Sequence, residues 1–245
     1  MLLQEEREKI VVYGQKMLKR GLTAGTFGNL SIYNEKENLF AISPSGMDYF
    51  KTDASDVVVM TLDGEKADGD RKPSSKVDMH RIFYQKRSGI KSVVHTHPRY
   101  ATTLACLDWS IPPLHYLVAY SGKEVPCIPY VPFGTYELAQ AALDGMGDNS
   151  ACILGNHGLL CVGGNISYTL DVSEQIEFCA QLYYNCRAAG QEPKLLNDEQ
   201  ISSVLEAFQT YRQKYTDKNK FCRRGPLWRE NAYTAAVICR KSRLR

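Results

Sequence analysis

Seven short apolar runs, at 29–33, 39–43, 57–61, 92–94, 125–130, 151–154 and 159–162, alternate with segments of helical periodicity, and this alternation constrains the fold more than any other feature of the sequence. Each run is too short for a buried helix and has the length of a strand. The 57–61 run ends at a turn signal, Asp63-Gly64. Helical spacing predicts a first helix over 4–20, with Ile10, Tyr13, Met17 and Leu18 on its inner face and Gly21 as its stop. Further helices are expected at 75–86, 98–107 and 136–143, then two long ones at 168–189 and 198–215, the last with Asp198 as N-cap. No repeat, low-complexity tract or Pro/Gly-rich linker divides the chain. The expectation is one α/β domain over 1–215 followed by a basic tail, 216–245.

Charge sets the tail apart. The whole chain carries +3, yet 212–245 holds eleven Lys or Arg against Asp217 and Glu230, a local +9 that leaves −6 on the first 211 residues. A basic end can bind nucleic acid, but this one carries no recognised motif for it, and no nucleic-acid partner is expected. A tail that attracts an anionic small molecule is the alternative. No apolar stretch approaches the roughly 20 residues that span a bilayer, and the start lacks the basic-then-apolar order of a signal peptide. A soluble, cytoplasmic protein with no membrane partner is therefore expected. Eight cysteines are scattered without a Cys-x-x-Cys pair, several inside apolar segments, which fits buried thiols better than disulfides or a thiolate metal site.

His95-Thr96-His97 ends the run Ser92-Val93-Val94 and is closed by Pro98. Side chains alternate along a strand, so His95 and His97 project to the same face and one cation can reach both. His157 follows the 151–154 run in the turn Gly155-Asn156-His157-Gly158, where glycine lets backbone approach closely. Three neutral imidazoles with a fourth position open is a donor set typical of catalytic zinc.

Three other segments suit an anion. Gly25-Thr26-Phe27-Gly28-Asn29 can turn several backbone N–H groups towards one point, although it matches neither a dinucleotide fingerprint nor a Walker A loop. Ser43-Pro44-Ser45-Gly46 and Lys72-Pro73-Ser74-Ser75 add hydroxyls, the latter at a predicted helix start, where Ser74 or Ser75 could equally serve as an ordinary N-cap. Together with the histidines, they suggest a phosphorylated substrate held beside a metal.

In order and spacing, Gly25-Thr-Phe-Gly-Asn29, Ser43-Pro-Ser-Gly46, Lys72-Pro-Ser-Ser75, His95-Thr-His97 and Asn156-His-Gly158 resemble the class II aldolase/adducin-like family over about residues 5–215. The stretches 110–116, 125–130 and 133–135 are most similar to the fuculose-phosphate aldolases within it. The resemblance implies a three-layer α/β/α fold around a central, mostly antiparallel mixed sheet. It also implies zinc-dependent retro-aldol cleavage of a (deoxy)ketose 1-phosphate, L-fuculose 1-phosphate by this likeness, to dihydroxyacetone phosphate and an aldehyde such as L-lactaldehyde. Carried over by residue, His95, His97 and His157 would bind Zn2+, and Gly28, Asn29, Ser45, Gly46, Ser74 and Ser75 would hold phosphate. Tyr116 and Tyr211 would be catalytic residues from a neighbouring subunit of a cyclic homotetramer. Sugar-phosphate 4-epimerases and dehydratases share the scaffold, as do catalytically silent adducin-like binding domains, and these are the alternatives.

One position departs from the family. Its aldolases carry glutamate after the paired serines, and its epimerases aspartate, a carboxylate that by the resemblance handles the proton at the enediolate carbon; here the residue is Lys76, and impaired activity, a changed reaction or lost catalysis are the alternatives this leaves. An ammonium beside a dication is repelled, so Lys76 either turns away or loses its proton and becomes a neutral amine able to act as a base. Helical spacing sends Asp78 away from Lys76 and puts His80 on the same face, where it is expected to be packed or hydrogen-bonded. His115, beside Tyr116, is expected to be structural.

Overall fold

The computed structural model describes residues 1–208. Its elements are α1 (Gln4–Lys19), β1 (Asn29–Asn34), β2 (Leu39–Ile42), β3 (Val58–Thr61), β4 (Lys66–Asp68), α2 (Val77–Lys86), β5 (Ser92–Thr96), α3 (Arg99–Leu107), a 3-10 turn (Tyr116–Tyr120), β6 (Cys127–Ile128), α4 (Tyr136–Met146), β7 (Ala151–Leu154), β8 (Gly158–Gly163) and α5 (Ile166–Ala188). The strands form one sheet in the order β4-β3-β2-β1-β5-β8-β7-β6, antiparallel throughout except for β6 beside β7. The two edges are short, which limits the row of unpaired backbone groups they present.

Strand alternation sorts the core into two faces. Phe40 and Ile42 of β2, Val58 and Met60 of β3, Val93 of β5, Cys152 and Leu154 of β7 and Leu160 and Val162 of β8 pack on α2 and α4. On the other face, Ala151, Ile153, Leu159 and Cys161 meet α3 and α5, while Leu30, Ala41 and Val94 meet Ile10 and Met17 of α1. Sheet between two helical layers is the three-layer α/β/α arrangement expected. Among the described residues no helix is long and apolar enough to cross a membrane.

The differences from the expected elements have physical causes. Only Cys127 and Ile128 of the predicted 125–130 run join the sheet, and Val125 instead forms a lone bridge to Ile111. β4 is charged and exposed, and so carries no apolar signature. It is held from outside: Asp68 Oδ2 takes a 2.7 Å ion pair from the buried Arg7 and a 2.8 Å bond from Leu2 N–H, and Arg7 also donates to the carbonyl of Val57. The 3-10 turn was not predicted; His115 caps it by accepting from Leu117 N–H, which is the structural role expected of that histidine. α5 begins at Ile166 because Asn165 accepts from Tyr168 N–H. The last described helix starts at 198, but its cap is Asn197, not Asp198. Asn197 Oδ1 accepts from Gln200 N–H at 2.8 Å, and Gln200 Oε1 returns the bond to Asn197 N–H at 2.9 Å. All six cysteines among the described residues are free thiols; Cys152, Cys161 and Cys179 are buried as expected, whereas Cys106 is exposed.

Candidate metal and anion site

β5 delivers the first two histidines. His95 shares the face of Val93, whereas Thr96 points to α5 and meets Ser173 Oγ at 2.9 Å. Past the strand end, His97 N–H is pinned to Leu22 O at 3.0 Å. The β7–β8 hairpin brings His157: Leu154 pairs with Gly158, Asn156 takes φ 51°, and His157 N–H donates to Leu154 O at 3.0 Å. Asparagine tolerates that left-handed backbone better than most residues. A side chain at position 158 would lie 2.5 Å from Thr96 O and 2.6 Å from His97 Cδ2. Glycine there is what lets the hairpin close on the histidine strand.

The candidate ligand atoms of His95, His97 and His157 all lie within 4.8 Å of one another. His95 Nδ1–H donates to Leu159 O at 3.0 Å, which leaves Nε2 as its lone-pair atom. Both His95 Nε2 and His97 Nε2 are buried and have no hydrogen-bond partner. Unpaired buried nitrogens are costly unless something binds them. Burial, then the neighbouring imidazoles, holds His95 well below the ordinary histidine range; burial, then Lys76, lowers His97 and takes His157 down to about 4. All three are thus neutral at pH 7, the form that ligates a metal. The residues fit a bound cation.

The cluster opens onto a cleft of about 520 Å³ lined also by Thr26, Phe27, Gly28, Asn29, Pro44, Ser45, Gly46, Ser74, Ser75, Lys76 and Phe133. The structure therefore brings every anion-site residue expected from the sequence to the cavity of the three histidines. Asn29 arrives by register, since β1 pairs Asn29 with His95. Gly28 has φ +77°, and a Cβ there would come within 3.0 Å of His95 O. The two serine loops are tied to each other: Pro44 and Pro73 form a bridge in which Ser45 N–H donates to Lys72 O at 2.9 Å and Ser74 N–H to Ser43 O at 3.2 Å. Prolines are tolerated there because the donors come from the residues that follow them. Ser74 Oγ accepts from Lys76 N–H at 3.3 Å, so it shapes the entry to α2, while Lys76 itself stands at the N-cap position.

Lys76 does not turn out to solvent. Its side chain is buried in the cleft wall, Nζ stands 4.3 Å from the Phe133 ring centroid, and burial lowers its pKa. Asp78 is engaged elsewhere, with Arg81 at 2.7 Å. His80 is wholly buried and hydrogen-bonded, as expected, but its partners were not foreseen: Asn29 Oδ1 at 2.6 Å and Ser31 Oγ at 2.7 Å. Thr26, Phe27 and Phe133 also line the cleft, although they stand in the quoted motifs without an assigned role. Tyr116 is half exposed, beside His115, and is not among the cleft residues of its own chain. Tyr211 and the tail 216–245 lie outside the described residues.

A three-layer α/β/α fold with three convergent histidines beside hydroxyl- and glycine-built loops in one cleft is the arrangement expected of a class II aldolase scaffold. The chain belongs to the Class II Aldolase and Adducin N-terminal domain family, whose profile matches residues 8–184, and it is a lyase of the aldolase kind. It is 51% identical over 213 residues, 87% of this chain and all of the relative, to a 5-deoxy-D-ribulose 1-phosphate aldolase of Bacillus thuringiensis serovar kurstaki. An L-fuculose phosphate aldolase of Haemophilus influenzae is 35% identical over 208 residues, 84% of this chain and 95% of the relative. A solved L-fuculose 1-phosphate aldolase superposes with a TM-score of 0.83 at 39% identity, covering 85% of this chain and 98% of that one.

Proposed function

We propose that this chain cleaves a (deoxy)ketose 1-phosphate by a zinc-dependent retro-aldol reaction, releasing dihydroxyacetone phosphate and a short aldehyde. The observation that carries the reading is the opening of the three convergent imidazoles, two of them with unpaired buried Nε2 atoms, onto the cleft of the three glycine- and serine-rich loops. Gly28, Asn29, Ser45, Gly46, Ser74 and Ser75 hold the phosphate, which places the ketose carbonyl towards His95, His97 and His157. A zinc ion there supplies Lewis acidity for the negative charge that develops on the ketose oxygens. The C3–C4 bond breaks as the C4 hydroxyl proton departs to give the aldehyde, and C3 gains a proton. Apart from the histidines, Lys76 is the one titratable side chain lining the described cleft, which supports it as the group that exchanges protons there. Tyr116, and Tyr211 by resemblance, serve the aldehyde end from a neighbouring subunit of a homotetramer; the half-exposed position of Tyr116 supports that assignment.

The higher identity to the 5-deoxy-D-ribulose 1-phosphate aldolase ranks that sugar above L-fuculose 1-phosphate, with acetaldehyde rather than L-lactaldehyde as the second product. A coupled assay for dihydroxyacetone phosphate with both sugars, on metal-loaded and chelator-treated protein, tests this. The expected result is faster, chelator-sensitive turnover of the deoxypentulose phosphate; faster turnover of L-fuculose 1-phosphate overturns the ranking. No metal-dependent release from either sugar would overturn the proposed reaction itself.

A further inference from the structure

Asn29 and Ser31 stand two apart on β1, on the face turned to α2; His80 and Tyr84 stand four apart on α2, on the face turned to the sheet. The four polar side chains join inside an otherwise apolar layer. Ser31 Oγ lies within hydrogen-bond reach of both His80 Nδ1 and Tyr84 OH, and His80 Nε2 is 2.6 Å from Asn29 Oδ1. An amide oxygen can only accept, so Nε2 carries the proton, and Nδ1 accepts from the Ser31 hydroxyl, whose oxygen in turn accepts from the Tyr84 O–H. His80 is neutral at pH 7, pushed down to about 3 by burial and then by Lys76.

We propose that His80 is a positioning residue for the anion site: by occupying Asn29 Oδ1 it leaves that side chain only Nδ2–H donors to offer a phosphate. Without it the amide can rotate by half a turn and set its oxygen against phosphate oxygens. The proposal rests on the reading of Asn29 as a phosphate ligand. It assigns a function to a histidine that neither binds the metal nor lines the cleft.

The test is calorimetric binding of inorganic phosphate to the full, metal-loaded chain. His80→Leu should weaken binding at least tenfold with unchanged metal content, and in turnover should raise KM more than it lowers kcat. His80→Gln, which can still donate to Oδ1, should stay within threefold of the parent. His80→Leu added to Asn29→Ala should cost nothing further. A fully additive loss would mean that His80 only supports the fold, and it overturns the proposal. If Asn29→Ala weakens binding and His80→Leu does not, this inference falls alone; if Asn29→Ala has no effect, the phosphate reading falls with it. Should the leucine variant fail to fold, 15N spectra of histidine-labelled parent protein decide: an Nε2–H tautomer for His80 supports the proposal and an Nδ1–H tautomer overturns it.

Discussion

The glycine- and serine-rich loops and the histidine cluster share one cleft, yet the loops have much of their backbone paired within the chain while two of the cluster's buried nitrogens are left open. Ser43, Ser45, Lys72 and Ser74 are bound to each other through their backbones, and Asn29 is held by His80. His95 Nε2 and His97 Nε2 have no partner. One half is preorganised by the fold, and the other keeps two buried nitrogens without a partner in the fold. Lys76 lies on the seam between them and, when protonated, sets positive charge beside the imidazoles proposed to take a cation.

If that contrast is right, the metal half should fail outright when one imidazole is lost. The parent is expected to hold close to one zinc per chain, and His97→Ala to lose it, with turnover following; elemental analysis measures the first and the coupled assay the second. Zinc retained by the triple alanine variant of His95, His97 and His157 would refute the site.

The seam comes next in size. If Lys76 marks a missing base, Lys76→Glu should raise turnover by about 10² to 10⁴ and tighten metal binding. If lysine is itself the base, Lys76→Glu and Lys76→Met should both abolish turnover, and the acidic limb of the pH–rate profile should shift or vanish. The preorganised half should respond less. Replacing both Ser74 and Ser75 by alanine removes two hydroxyl donors to a charged group, each about 1.5–3 kcal/mol, and should weaken dihydroxyacetone phosphate binding at least tenfold with little change in Tm.

The smallest effect concerns the support beneath Asn29. The His80 pKa is about 3 in the fold against an ordinary 6.5. As pH falls below 6.5 the unfolded chain takes up a proton that the folded chain refuses. The stability tied to His80 is thus fully present above 6.5 and lost progressively towards about 3, with a slope of up to about 1.4 kcal/mol per pH unit. Denaturant titrations of metal-free protein should show a slope shallower by one proton's share in His80→Gln; an unchanged slope would show that His80 does not carry it.

How far these features could be read beforehand follows from the range of the interactions that make them. His95 and His97 were legible because strand alternation is local, and the glycine beside His157 because backbone contact leaves a compositional mark. The charged edge strand β4 was illegible, since Asp68 is fixed by Arg7, 61 residues away. The His80 network was hidden for the same reason: it joins residues 51 and 49 apart, and no periodicity encodes such a pairing. Asp198 was read as a cap where Asn197 is one, a displacement of one residue that only hydrogen bonds resolve.

The bridge between Pro44 and Pro73 has a consequence for how this scaffold can vary. It closes the chain between the two serine loops into a clasp, and the excursion it encloses includes the 62–65 turn, where Thr61 and Gly64 are joined by a 3.1 Å bond. The tip of that excursion is tied to α2 instead, since Leu62 O accepts from Arg81 and Gln85. A change in that turn is therefore felt first by the helix whose entry Ser74 shapes, and the clasp keeps the two serine loops in register with each other whatever the tip does.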